Sequence, residues 1–324
     1  MPIKTGHRTR LIAGVFLACL LFSGCMPKQT ANLVQEKPVG MNSSAKIESV
    51  PFFPQQDFQC GPAALAMALG HAGVAISPEQ LRPELYIPNK RGSLQIEMLA
   101  TPRRYGMLAY KLAPSLNKLL LEIQSGHPVI VFQNLGLSLT PQWHYAVATG
   151  FDLSHQTITL HSGDSPDYVM PLSTFENTWV RADSWAMLVL PAGKLPASAD
   201  EKVYLRAVSS LEKADFHPLA LKSYVAASKR WPDSLAARMG LGNSQYALGK
   251  LQQAQQTFLK ASRDYPDAAE AFNNLAQTYL DQQNYDRALQ AIQRAIEIDS
   301  SSALYHQTWA EIEQQKNISP QHHS

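Results

Sequence analysis

The chain has 324 residues, 45% hydrophobic and 17% charged, which is apolar enough for two ordinary domains and too apolar for a disordered protein. Its 28 Lys and Arg against 26 Asp and Glu leave a formal charge of +2, with no long basic run and no Arg stripe beside aromatics, which argues against a nucleic-acid groove. Cys19, Cys25 and Cys60 are too few and too scattered for a zinc ribbon or a disulfide framework, so each is explained singly.

At the N-terminus, Lys4, His7, Arg8 and Arg10 precede an apolar run over 11–22, the length of a signal-peptide core and too short to cross a membrane. The following Leu21-Phe22-Ser23-Gly24-Cys25 resembles a bacterial lipobox, with Phe22 where a Leu is more usual. The resemblance implies that 1–24 is a lipoprotein signal peptide and that Cys25 becomes the lipidated first residue. The alternative is a plain secretory signal with an incidental cysteine. Met26 stands after Cys25 in place of the Asp associated with inner-membrane retention, so the resemblance implies the periplasmic face of the outer membrane. Losing Lys4, Arg8 and Arg10 and no acid takes the net charge from +2 to −1 and leaves Cys60 as the free thiol of the mature chain. In an oxidising compartment an unpaired cysteine calls for an explanation.

Residues 25–46 are polar, with Pro27, Pro38 and Gly40, and read as a flexible tether. A globular segment over 47–191 opens with a helix at 62–70, introduced by Gly61-Pro62, followed by helices near 95–105 and 115–125. Short strands are predicted at 129–132, 144–149, 157–161 and 186–190, punctuated by Gly and Asp as in an antiparallel sheet, which makes this domain α+β. Residues 192–200 form a Pro, Ala and Ser-rich linker. A period of 34 then takes over: Ala220, Ala254 and Ala288; Tyr224, Phe258 and Ile292; Ala227, Ala261 and Ala295; Pro232 and Pro266. This matches the tetratricopeptide (TPR) pattern, and it predicts an all-α TPR solenoid of about three repeats plus a capping helix over 201–316, with a disordered tail at 317–324.

Cys60 stands immediately before the 62–70 helix, where free backbone N–H groups and the helix dipole favour a thiolate, so its pKa is expected below that of a free cysteine. A thiolate nucleophile needs an imidazole to take and return a proton. His144, at the start of a strand, fits best. His161 on the adjacent strand competes with it, His71 is too far along the helix axis, and His127 and His155 read as turn residues.

Gln55, Cys60-Gly61-Pro62-Ala63-Ala64-Leu65-Ala66 and His144 leading into Thr149-Gly150-Phe151-Asp152 together resemble the bacteriocin-processing, double-glycine type of papain-like cysteine peptidase. The resemblance covers roughly residues 48–190. It implies a papain-like fold, Cys60 as nucleophile, His144 as base, and Gln55 as a donor to the oxyanion, with Gln56 and Gln59 as confusable neighbours. The family usually carries an Asp at the end of the strand after the histidine strand. Here Leu160-His161-Ser162-Gly163-Asp164-Ser165-Pro166 offers Asp164 as the residue orienting the imidazole. The register could instead place Ser162 there, Asp164 also suits a turn, and Asp152 is a weaker substitute.

No Walker loop, metal-spaced His pair or CxxC is present, so no cofactor or metal is expected. The expected function is hydrolysis of peptide bonds by a membrane-anchored periplasmic cysteine peptidase, with a peptide or protein substrate and a protein partner on the TPR surface. The alternative is a non-catalytic, peptidase-like binding lipoprotein.

Overall fold

The structure is a computed structural model and describes residues 26–55, 59–90, 92–137 and 139–318. The signal segment 1–24, the candidate lipidation site Cys25, Gln56 and residues 319–324 lie outside the described residues.

The N-terminal part is built on one seven-stranded antiparallel sheet. Its strands are β1 (Ser44–Lys46), β2 (Met107–Lys111), β3 (Val129–Asn134), β4 (Trp143–Asp152), β5 (Thr157–Ser162), β6 (Ser165–Pro171) and β7 (Ala186–Pro191). They lie in the order β2-β7-β3-β4-β5-β6, with β1 pairing β4 beside that path. The helices of this part are α1 (Lys28–Gln35), α2 (Cys60–His71), α3 (Pro78–Leu85), α4 (Gln95–Ala100), α5 (Leu116–Gln124) and α6 (Leu172–Val180).

Helix α2 is apolar all round and buried from Gly61 to Leu69, as expected of a helix enclosed on every side. Its alanines let it lie close on β4, which itself presents Ala146 and Ala148. The fold therefore fixes the helix bearing Cys60 directly on the strand bearing His144.

Of the tether expected over 25–46, the described residues 26–46 are held in place instead. Buried Glu176 on α6 accepts the backbone N–H groups of Gln29 and Thr30 at 2.9 and 2.6 Å and the Thr30 hydroxyl at 2.6 Å, neutralising the positive end of α1. Leu33 and Met41 enter the core, and β1 pairs with Gly150, Phe151 and Asp152. A polar composition concealed two apolar anchors and a buried carboxylate.

The 95–105 helix stops at Ala100 and continues as a 3-10 turn over Thr101–Tyr105, because Pro102 has no N–H to carry the α-helical ladder. Strands β1, β2 and β6 and helices α1, α3 and α6 were not anticipated from the sequence.

Seven helices follow: α7 (Glu201–Glu212), α8 (His217–Arg230), α9 (Leu235–Ala247), α10 (Leu251–Asp264), α11 (Ala269–Asp281), α12 (Tyr285–Ile298) and α13 (Ala303–Ile318). The TPR expectation holds, with successive helices packed as neighbours. Ala220, Ala254 and Ala288 are fully buried at the crossings, and Phe258 and Ile292 fill the spaces between hairpins. At Gly242 a Cβ would overlap the Phe258 ring, so the absent side chain makes room for the next hairpin. Helix α13 runs through Ile318, past the expected start of a disordered tail at 317, because Thr308 and Ile312 are buried against the preceding repeat.

The two parts share a core that runs from Leu33 through the sheet to Ala237. The residues between them are held as well. The backbone N–H groups of Ala197 and Ser198 donate to the buried Glu122 carboxylate at 3.0 and 2.7 Å, and that of Asp200 donates to the Tyr110 hydroxyl at 2.9 Å.

Candidate active site

Cys60 is the first residue of α2, where Gly61 is required by crowding: a Cβ there would collide with the Ser93 hydroxyl. Gln55 reaches between β4 and the β5–β6 turn. Its backbone N–H donates to Gly163 O at 3.1 Å, its side-chain Nε2 donates to Tyr145 O at 3.1 Å, and its Oε1 accepts the Gly163 N–H at 3.1 Å. The backbone of Tyr145 also hydrogen-bonds the Cys60 sulfur. Cys60 and Gln55 therefore meet on the residue of β4 that follows His144, although both are far from it in the chain.

The His144 ring accepts or donates through Nε2 to Ser162 Oγ at 2.9 Å. This corrects the assignment of Asp164. A bulge at Thr149 shifts the β4–β5 register, so that Gly150 opposes Thr159 while Ala148 opposes Leu160. A one-residue shift exchanges sheet faces, and it places Ser162 on the face of His144. Ser162 then pairs with Ser165 across a two-residue turn of Gly163 and Asp164, with Gly163 at φ +60°, so Asp164 is an exposed turn residue. Asp152 is engaged with the His155 ring at 2.8 Å at the far end of β4.

The competing imidazoles are committed elsewhere. His161 is buried, with Nε2 3.3 Å from Val50 O and Nδ1 accepting the Asp167 N–H at 3.3 Å. His71 bridges Ser49 Oγ at 3.2 Å and Gly126 O at 3.0 Å, and His127 contacts Glu122 at 2.8 Å.

The electrostatics also differ from expectation. Burial pushes the Cys60 thiol up from its ordinary value, outweighing the opposing backbone hydrogen bonds from Tyr145, Gly61 and Cys60 itself. Burial lowers His144 to about 4. The expected depressed thiol is overturned because desolvation exceeds what one helix end supplies, and because Ser162 offers no negative charge to hold an imidazolium. The resting pair is a neutral thiol and a neutral imidazole, with the imidazole Nε2 turned to Ser162. Ser93 was missed by sequence reasoning. Its hydroxyl is buried without a partner beside Gly61, and only the collision at Gly61 reveals its place.

Among the described residues, no group of three or more His, Cys, Asp or Glu is placed to hold a metal ion. None of the described helices is long and apolar enough to cross a membrane.

Residues 47–187 match the Peptidase_C39 like family, and residues 205–254 and 240–303 match the tetratricopeptide repeat. Among solved structures, a putative C39-like peptidase from Bacillus anthracis is 20% identical, covering 46% of this chain and 98% of its own, with a TM-score of 0.40. The first TPR of Spaghetti (RPAP3), solved with an HSP90 peptide, is 14% identical, covering 36% of this chain and 93% of its own, with a TM-score of 0.35. The Sgt2 TPR domain from Aspergillus fumigatus is 15% identical over 36% of this chain and 79% of its own, with a TM-score of 0.35. A comparison with curated proteins found no match. The chain is a Peptidase_C39-like domain followed by tetratricopeptide repeats.

Proposed function

We propose that this chain is a cysteine peptidase, anchored through a lipid on Cys25 to the periplasmic face of the outer membrane, whose repeats hold a protein substrate or partner. The observation that carries the catalytic part is that Gln55 and Cys60 both meet the backbone of Tyr145, the residue that follows His144 on β4. The anchoring part rests on the lipobox-like Leu21-Phe22-Ser23-Gly24-Cys25.

In the reaction, Cys60 Sγ attacks the scissile carbonyl carbon while its proton passes to His144 Nδ1. The carbonyl π pair moves onto oxygen, where the Cys60 backbone N–H and the second Nε2 hydrogen of Gln55 stabilise it. The imidazolium then protonates the leaving amine as the C–N bond breaks, giving a thioester. Water, deprotonated by His144, hydrolyses that thioester and restores the thiol. Ser162 holds the imidazole in plane throughout. Because both resting groups are neutral, proton transfer accompanies attack and does not precede it.

A second reading, a peptidase-like binding protein without turnover, is favoured by one specific observation: a neutral Ser162 occupies the position where the resemblance implies a carboxylate. Capture by a peptidyl vinyl sulfone separates the two. A peptidase is trapped at Cys60, and His144→Ala and Gln55→Ala abolish trapping while leaving slow reaction with iodoacetamide intact. Equal trapping of wild type and both variants refutes catalysis and leaves the binding reading.

A further inference from the structure

Between Glu122 and Asp152 the chain contains no Asp, Glu, Lys or Arg. In the middle of this stretch the β3–β4 loop presents Leu137 at 72% and Leu139 at 96% exposure, flanked by the half-exposed Leu135 and Trp143. The loop has a firm neck. Asn134 Oδ1 accepts the N–H groups of Gly136 and Gln142 at 3.0 and 2.9 Å, and Leu135 N donates to Gln142 O at 2.9 Å. Arg181, next to the end of α6, clamps Asn134 O through Nε and Nη2 at 3.2 and 3.0 Å. Trp143 stacks on Phe132 with ring centroids 5.3 Å apart. Uncharged leucines held out on a braced projection are exposed at a cost that only an apolar surrounding returns.

The place of the chain start says which surrounding. β3 ends and β4 begins at the loop, and at that same end of the sheet Ala186 opens β7, opposite Val131. Leu112 N donates to Ala186 O at 2.9 Å, and α5 begins four residues later at Leu116, whose N–H donates to Gln29 Oε1 at 2.7 Å. From there the chain runs along α5 to its far end, where Asn42 N meets Gln124 Oε1 at 2.7 Å. Residues before α1 therefore leave from the loop's end of the sheet. Gln29 is fixed to Glu176 at that end, and four extended residues span at most about 14 Å, which bounds the reach of a lipid anchor at position 25.

We propose that the β3–β4 loop is a membrane-contact element: Leu137, Leu139 and Trp143 enter the interfacial layer of the bilayer to which Cys25 tethers the chain. This rests on the reading of Cys25 as the lipid anchor. An apolar projection at the same end adds buried apolar area to the anchor's hold on the bilayer. Trp143 adjoins His144, so docking turns the candidate active site toward the lipid surface. Leu94 and Ile96, exposed just after Ser93 on the Cys60 side, extend the apolar rim. A substrate-binding wall is the weaker account, because a leucine as exposed as Leu139 lines no groove.

The test uses the chain from Met26 to Ser324, which holds every described element and lacks Cys25. It is floated with vesicles of phosphatidylethanolamine and phosphatidylglycerol. The wild type co-floats, brominated acyl chains quench part of its Trp fluorescence, and Leu137→Gln with Leu139→Gln lowers the bound fraction about tenfold without changing the melting temperature. No co-flotation, or co-flotation unaffected by the double substitution, overturns the proposal. So does an unchanged bound fraction combined with a raised KM for an apolar peptide, which identifies the loop as a substrate wall. Mass spectrometry of the full chain reads the lipid on Cys25 separately, so an unmodified Cys25 with intact vesicle binding overturns the anchor and not the loop.

Discussion

Replacing Ser162 by Asp tests the neutral-pair description of the site. The Ser162 hydroxyl lies 2.9 Å from His144 Nε2, so a carboxylate in its place sits within about 4 Å of the ring. At an effective dielectric of about 20, two unit charges at that distance attract by about 4 kcal/mol, or roughly three pKa units. The cost of burying the new carboxylate consumes part of this, leaving an upward shift of about one to two units. The imidazole should move from about 4 toward the value of an ordinary histidine. NMR titration of the imidazole C–H signals reads the shift directly. Alkylation of Cys60, the sole thiol from Met26 onward, reads its consequence. In the wild type the alkylation rate should follow one ionisation above the usual thiol value, and in Ser162→Asp a second, thiolate-like component should appear between pH 6 and 8. Ser162→Ala removes the hydrogen bond without adding charge and should show no such component. A wild-type histidine titrating at or above 6.5, or no response to Ser162→Asp, refutes the reasoning.

Burial of neutral His144 also predicts acid sensitivity. The folded state holds its proton less tightly than the unfolded chain, so stability present above about pH 6.5 falls as pH drops toward 4, by about 2–3 kcal/mol for this group. In His144→Gln, melting temperatures over that window should be flatter, and an equally steep dependence would assign the loss to other groups. Glu122→Ala leaves the N–H groups of Ala197 and Ser198 and the His127 ring without their acceptor, and should cost about 2–4 kcal/mol in urea unfolding; a loss below 1 kcal/mol counts against that contact. Gly242→Ala drives a methyl into the Phe258 ring and should destabilise by about 1–3 kcal/mol, most of it recovered when Phe258 is shortened to Leu in the same chain.

The repeats were the most legible part of the chain, because a helix crossing demands the same small residue each time it recurs, as at Ala220, Ala254 and Ala288. The place of Cys60 was legible for a similar reason: before Gly61-Pro62 it is a cysteine at a helix start whatever the surroundings. The imidazole's partner was legible only as an open choice between Asp164 and Ser162. Its identity depends on a bulge at Thr149, which no local pattern announces and which reverses the facing of everything beyond it. The ordered N-terminal segment escaped notice because its anchor, Glu176, is distant in the chain and is a charged residue that pattern reading places on the surface. The direction of the thiol's ionisation was misjudged because a helix end is local, whereas burial is a property of the whole fold.

An array of helical hairpins has two raw apolar ends, and most arrays spend extra helices to cover them. Here α13 closes one end, and the sheet closes the other: α7 lies against β2, the Gly193 N–H donates to Ser223 Oγ on α8 at 3.0 Å, and the core passes without a break from strands into repeats. The C39-like domain is thus a stopper for the solenoid. Whatever binds and steadies the first hairpin adds its binding free energy to the unfolding of the sheet as well, so a ligand on the repeats would register thermodynamically beneath the candidate active site.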